Sequence, residues 1–359
     1  MKRLLSYRKL VFGLSLLISA CSNQGTDVLP DDTANVEIKI SMPMQEYPHS
    51  KAVTYKEDGT PYENTIFTDK TNMENISIFV FDADNGEFLD MVTDLTIQGK
   101  PDDVIRNVSG VLSTANFTPA TKNLKLVFMA NYFSRGYRIP SPSDYMDKPK
   151  YKDWREELIY DYSDEQSGNK PKPWTPENGN EDNRYIPMSG DAVVPVITSG
   201  SVKNYYAKID LTRAVAKVRV EVVKECPYEL FSLRVNNIPV KGYCLPSDKF
   251  HIPSNTDGAS EILTLFANTD HPNYIEFYIP EQIRNIATID LYLQKKGGAS
   301  GEPTTSDKIY FMNYTTLEKF NIERNHYYIF YVNKKANDHV DVDVSVMDWV
   351  EHDIDVNYE

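Results

Sequence analysis

Apolar and polar positions alternate with a period of two along much of this chain, and residues 207–223 show both the pattern and its interruption. Ala207, Ile209 and Leu211 share one phase. From Ala214 the apolar set becomes Ala216, Val218, Val220 and Val222, opposite Lys217, Arg219 and Glu221. One flat strand through both halves would turn a core set toward water, because successive side chains face opposite ways. The slip at Thr212 and Arg213 therefore marks either a bulge or a passage from one sandwich to another. We place a domain junction just before it, near Asn204.

The same period recurs on both sides of that junction. Residues 36–42 alternate strictly. Residues 76–81 and 87–92 read as a hairpin closed by Asp82-Ala83-Asp84-Asn85-Gly86, where Asn-Gly provides the positive φ angles of a tight primed turn. Residues 123–131 are continuously apolar toward their end, the mark of a strand buried on both faces. Windows at 230–240, 262–267, 274–279, 287–294, 308–314 and 327–332 repeat at short spacing between turn residues, the rhythm of a second sandwich. Windows longer than ten residues with a helical period are few, and Tyr and Phe are abundant. The fold class expected is all-β, with two consecutive β-sandwich domains over 52–204 and 205–359.

Two stretches break the rhythm. Residues 135–183 crowd Tyr, Asp, Pro, Lys and Trp without a period, and only 153–160 suggest a helical turn or two. A segment this long is usually functional or disordered. Its aromatics either bind sugars or a neighbouring subunit, or pin the loop to its own domain. At the other end Val340, Val342, Val344 and Val346 alternate with Asp341, Asp343 and Ser345. After Trp349 a second alternation sets Val350, His352, Ile354, Val356 and Tyr358 opposite Glu351, Asp353, Asp355 and Asn357. Such a strand needs a sheet to complete, its own or another.

The formal net charge of −14 argues against a nucleic-acid partner, since no basic stripe is present to displace counterions. The N-terminus carries more information. Lys2, Arg3, Arg8 and Lys9 precede an apolar run, 10–20, that is too short to span a bilayer and suits a secretion signal. It ends in Ile18-Ser19-Ala20-Cys21, which resembles the lipobox of bacterial lipoproteins and makes Cys21 the lipidation site, with residues 1–20 removed. A lipid chain anchors a protein without a transmembrane helix. Residues 22–33 read as a polar tether. Cys226 and Cys244 either pair in an oxidising exterior or stay buried and free.

No G-x-S-x-G elbow, P-loop or HExxH motif occurs, and the histidines are scattered singly. Neither an enzyme, a cofactor nor a metal is therefore expected. The acidic 82–86 cluster departs from calcium-loop spacing, and reads as a turn.

Several segments in order resemble the fimbrillin family, the FimA-like subunits of type V pili: the lipobox at Cys21, 74–82, 126–131, Ile186-Pro187-Met188-Ser189-Gly190, 211–218 and 322–328. The resemblance implies transthyretin-like sandwiches, other pilin subunits as partners, an outer-membrane lipid at Cys21 before maturation, a place in the fimbrium at the cell surface, and a part in adhesion. It also implies assembly by strand exchange. A protease removes lipid and first strand together, and an extended segment of the next subunit fills the vacated groove by β-augmentation. Residues 21–51 would then be tether and removable strand, with Val36, Ile38, Ile40 and Met42 the displaced face and Lys51-Ala52 the cut. The donor would be Val350, His352, Ile354, Val356 and Tyr358. Family members of the best-known kind are cut after Arg, and no Arg lies between Arg8 and Arg106. Either lysine is accepted at 51, or the subunit stays uncleaved as an anchor or cap. The competing reading is a surface lipoprotein that binds a glycan or host receptor through the aromatics of 137–174. Burial of 36–42 between two paired neighbours, with no edge to open, would count against strand exchange.

Overall fold

In the computed structural model the alternating windows become strands. Residues 32–41, 76–99, 103, 105–132, 140–147, 149–161, 186–197, 203–239, 241–246, 260–267, 273–282, 287–297, 303, 305–319, 321–334 and 340–348 are described. The first elements in chain order are β1 (Thr33–Ser41), β2 (Ile76–Asp82), β3 (Phe88–Met91), β4 (Thr93–Gln98), β5 (Ile105–Ser113) and β6 (Asn123–Ala130). After helix α1 (Tyr151–Glu157) come β7 (Ile159–Asp161), β8 (Met188–Pro195), β9 (Asn204–Asp210) and β10 (Thr212–Arg213). The second half holds β11 (Val215–Val222), β12 (Tyr228–Pro239), β13 (Lys241–Tyr243), β14 (Ser260–Phe266) and β15 (Tyr274–Pro280). It ends with β16 (Thr288–Lys295), β17 (Thr305–Tyr310), β18 (His326–Lys334) and β19 (Val340–Asp348).

Two sheets, ordered β4-β5-β1-β9 and β10-β8-β6-β2-β3, face each other as the first sandwich. Between them lie Val36, Ile38, Ile40, Ile78, Val80, Leu126, Phe128, Tyr205 and Ile209. The outer face of the β1 sheet is wet, with Glu37, Lys39 and Tyr206 exposed, which is why its strands alternate so cleanly. Strand β6 is covered on both sides, as its apolar run implies. Leu126 and Phe128 point into the sandwich, while Val127 and Met129 join Phe79, Phe81, Trp154 and Leu158 on the far face. Trp154 comes from α1, stacks 4.7 Å from Phe79 and donates Nε1–H to the Pro140 carbonyl at 2.9 Å. Helix α1 and the buried Tyr160 therefore pin the described part of the long segment to the domain. Tyr137 and Trp174 lie outside the described residues.

The hairpin differs in detail from expectation. Only Gly86 has a positive φ, at 77°, so the turn is not of the primed two-residue type. The Asp82 carboxylate accepts from the amides of Asp84 and Asn85, and the loop closes with Asp82 N–H on the Glu87 carbonyl at 2.8 Å. Local side-chain capping thus replaces the Asn-Gly geometry.

The second sandwich pairs β15-β11-β18-β19 with β14-β12-β16-β17. Val218, Val220, Phe277, Phe330, Leu233, Val235, Ile289, Leu291 and Phe311 fill it. The phase slip of the sequence is a change of sheet: β9 ends beside β1, β10 pairs with β8 in the facing sheet, and β11 opens the second sandwich. The expected boundary near Asn204 is thereby corrected. Residues 204–213 belong to the first sandwich, because β9 carries its own apolar set, Tyr205 and Ile209, into that core. The described residues from Asp32 onward form one compact unit.

Cys226 and Cys244 are both buried, and no disulfide joins them. Cys226 follows the end of β11, its thiol on the Lys334 carbonyl at 3.7 Å. The Cys244 carbonyl is tied to Tyr132 and Ser189 beyond the strand's start. An eight-residue strand separates them, about 25 Å by strand rise.

Candidate functional site

Assembly by strand exchange would centre on β1, so its seat is the site of interest. The alternation of 33–41 makes Ala34, Val36, Ile38 and Ile40 one face, and these are at most 1% exposed. On one side β1 pairs antiparallel with β5 along its whole length, Thr33 opposite Ser113 and Ser41 opposite Ile105. On the other it pairs in parallel with β9, Asn35 beside Asn204 and Ser41 beside Asp210. Strand spacing makes the seat a slot about 10 Å wide between β5 and β9, open to water on the Glu37 and Lys39 face and floored by the apolar core.

The strand's ends carry polar ties across the parallel seam. Asn35 Nδ2 donates to Asn204 Oδ1 at 2.9 Å, and the Ser41 hydroxyl donates to the Asp210 carboxylate. That hydroxyl, helped by Lys208, holds the Asp210 carboxyl below its ordinary pKa despite some burial. Backbone bonds extend the pairing: Asn35 N–H meets the Lys203 carbonyl at 2.9 Å, and Leu211 N–H meets the Ser41 carbonyl at 2.8 Å. The side-chain partners Asn204 and Asp210 lie 169 residues away in sequence, and nothing local announces them.

Val36, Ile38 and Ile40 thus stand together as read from the alternation, but at the centre of a sheet. This is the position that counts against a placeholder strand. Withdrawing β1 would break two ladders, bare the core, and leave β9 with no neighbour in that sheet among the described residues. Met42, Lys51, Ala52, Cys21 and the donor positions Val350, His352, Ile354, Val356 and Tyr358 lie outside the described residues. The nearest described strand to that tail, β19, pairs with β18 of its own sandwich, and Val340, Val342 and Val344 pack on the core. Only Val346 of that set is exposed, at 46%. Among the described residues no group of three or more His, Cys, Asp or Glu is placed to hold a metal ion, and no helix is long and apolar enough to cross a membrane.

No curated protein matches the chain in sequence. Among solved structures it is similar to the tip fimbrial protein Mfa3 of Porphyromonas gingivalis, crystallised with a C-terminal truncation. Identity is 15%, the match covers 88% of this chain and 100% of that one, and the TM-score is 0.52. A fimbrial assembly protein of Parabacteroides distasonis is 14% identical over 88% of this chain and 98% of that one, TM-score 0.48. The fimbrial anchor protein Mfa2 of P. gingivalis is 10% identical over 89% and 99%, TM-score 0.38. At such identities the first likeness bears on the fold alone. Family membership rests on the sequence match that spans residues 29–355: the chain belongs to the fimbrillin-A associated anchor proteins Mfa1 and Mfa2, and its role is tied to the fimbrium.

Proposed function

We propose that this chain is an anchor or cap subunit of a surface fimbria, lipidated at Cys21, held at the outer membrane and not cut after its first strand. The observation that carries this reading is the seat of β1, paired on both sides with its apolar face in the core. A strand built in so completely is part of the sandwich rather than a cover over it. The absence of Arg between Arg8 and Arg106 supports the same reading, because an arginine-directed protease has no target near Lys51-Ala52. Its partners are other pilin subunits, and its task is structural, with no catalysis. Cells lacking the chain should shed intact fimbriae into the medium, and a Cys21→Ser version should fail to restore attachment. Fimbriae that remain cell-bound in either strain would refute the anchor role.

A second reading is favoured by one feature. Strand β1 is the first described strand, connected onward only through residues 42–75, so one cut there would free it without unthreading the rest. In that reading the cut at Lys51-Ala52 opens the slot, and a tail such as 350–358 from a sister subunit fills it, giving an adhesive stalk.

A further inference from the structure

The motifs that carry the family resemblance are not explained by the β1 slot, and four of them meet at the joint between the sandwiches. They contribute Asn131, Ile186 to Gly190, Arg213 with Ala214, and Arg324 with Asn325. The hub is the main-chain carbonyl of Cys244, just after β13, which pairs with β7 in a small sheet outside both sandwiches. It accepts from the hydroxyl of Tyr132, which follows β6, from Ser189 Oγ of β8 at 3.2 Å, and from Arg324 Nη1 at 3.4 Å. Arg324 Nη2 also donates to the Tyr243 carbonyl at 2.9 Å and to the Glu281 carboxylate. Around this hub, Tyr160 donates to the Ala214 carbonyl at 3.0 Å and Arg213 Nη1 donates to Asn325 Oδ1 at 3.1 Å. Strand β7, from the first half, pairs with β13 of the second, and Cys244 N–H reaches the Leu158 carbonyl at 2.9 Å.

The side chains that meet at the hub are withdrawn from water, Ser189 0% exposed, Tyr132 1%, Glu281 6% and Arg324 7%, as is the neighbouring Arg213 at 0%, while its partner Asn325 is half-buried. Burial disfavours the charge on Arg324, but the adjoining Glu281 carboxylate, together with Tyr132 and Tyr160, holds its pKa above the ordinary value. An apolar joint tolerates sliding, because its attraction has no direction. Arg324, just before β18, and Glu281, just after β15, hold the Cys244 segment to the second sandwich, while Tyr132 and Ser189 hold it to the first, so any shift between the sandwiches leaves buried charges and dipoles unpaired in a low dielectric.

We infer that the Cys244 hub locks the two sandwiches into one cooperative folding unit. The lock is independent of whether the chain is anchor or stalk. It is tested on the full chain by amide hydrogen exchange with mass spectrometry, reading β2 and β6 for the first sandwich and β12 and β16 for the second. Leu291→Ala, in the core of the second sandwich, is the probe. In a locked protein it accelerates exchange in both sandwiches by the same factor, since both open in the same event. Combined with Arg324→Met, it should accelerate only the second, leaving the first within about twofold. Should Arg324→Met fail to fold, Tyr132→Phe, which removes one donor to the hub, takes its place with the same expectation. Two results would overturn the inference: Leu291→Ala affecting the second sandwich alone in the otherwise native chain, or both sandwiches still responding together once Arg324 and Tyr132 are replaced.

Discussion

If β1 is a built-in member of the first sandwich, truncating Ile38 must be felt by the whole protein. Ile38 sits mid-strand, 1% exposed, opposite Val108 of β5 and beside Ala207 of β9. Ile38→Ala removes three buried carbons from a site whose neighbours are held by ladders on both sides and cannot collapse freely. Substitutions of this kind destabilise by about 2–5 kcal/mol. Unfolding entropy is about 2.1 cal/mol/K per residue, so for roughly 330 residues each kcal/mol lowers Tm by about 1.4 °C, and the fall expected is about 3–7 °C. Lys39→Ala, next door but pointing to water, should move Tm by less than about 1 °C. Circular dichroism or calorimetry on the purified chain reads both. Equal, small shifts for the two variants would refute the reasoning, because they would mean that the strand's inner face is not part of the core.

Other outcomes follow from the same geometry. Gly190→Ala should destabilise by about 1–3 kcal/mol, since a Cβ there would stand 2.5 Å from the Asp210 carbonyl and neither backbone can yield; a denaturant midpoint unchanged from the native chain would contradict this. Burial pushes the Tyr132, Tyr327 and Tyr328 hydroxyls above the ordinary range. A raised folded pKa contributes stability that is whole below the unfolded value, about 10, and is lost as pH rises beyond it. Alkaline titration by phenolate absorbance should therefore show these tyrosines ionising only with unfolding, and a fully reversible titration of every tyrosine in the folded protein would count against it. For Asp210 the sign is opposite: its lowered pKa supports folding above the ordinary carboxylate range and fades on acidification, so Ser41→Ala should slightly narrow the acid limit of stability. Under non-reducing denaturation both Cys226 and Cys244 should label with a thiol reagent, and protection of the pair would restore the disulfide.

The alternation that exposed these strands reports one thing, that a strand has a wet face and a dry one. It revealed β1, β11 and the first part of the C-terminal alternation because each lies in a sheet with one solvated side. It could not say that β1 is central, since an edge strand over the same core carries the same pattern. Nor could it place 204–210, because pairing with β1 is decided 169 residues away. The joint was hidden for a different reason. Arg213 and Arg324 are charges, and charges in a sequence read as surface; partners remote in sequence, among them Asn325, Glu281 and the Tyr243 and Cys244 carbonyls, make their burial tolerable. What the sequence did offer was their position inside otherwise apolar strands and motifs.

The central claim is that β1 stays in the working protein. Mass spectrometry of the N-terminal peptide of the chain recovered from the cell surface tests it most directly. The result expected is a diacylated Cys21 followed by an unbroken chain through residues 33–41; a mature protein beginning at Ala52, or anywhere beyond Ser41, would contradict it.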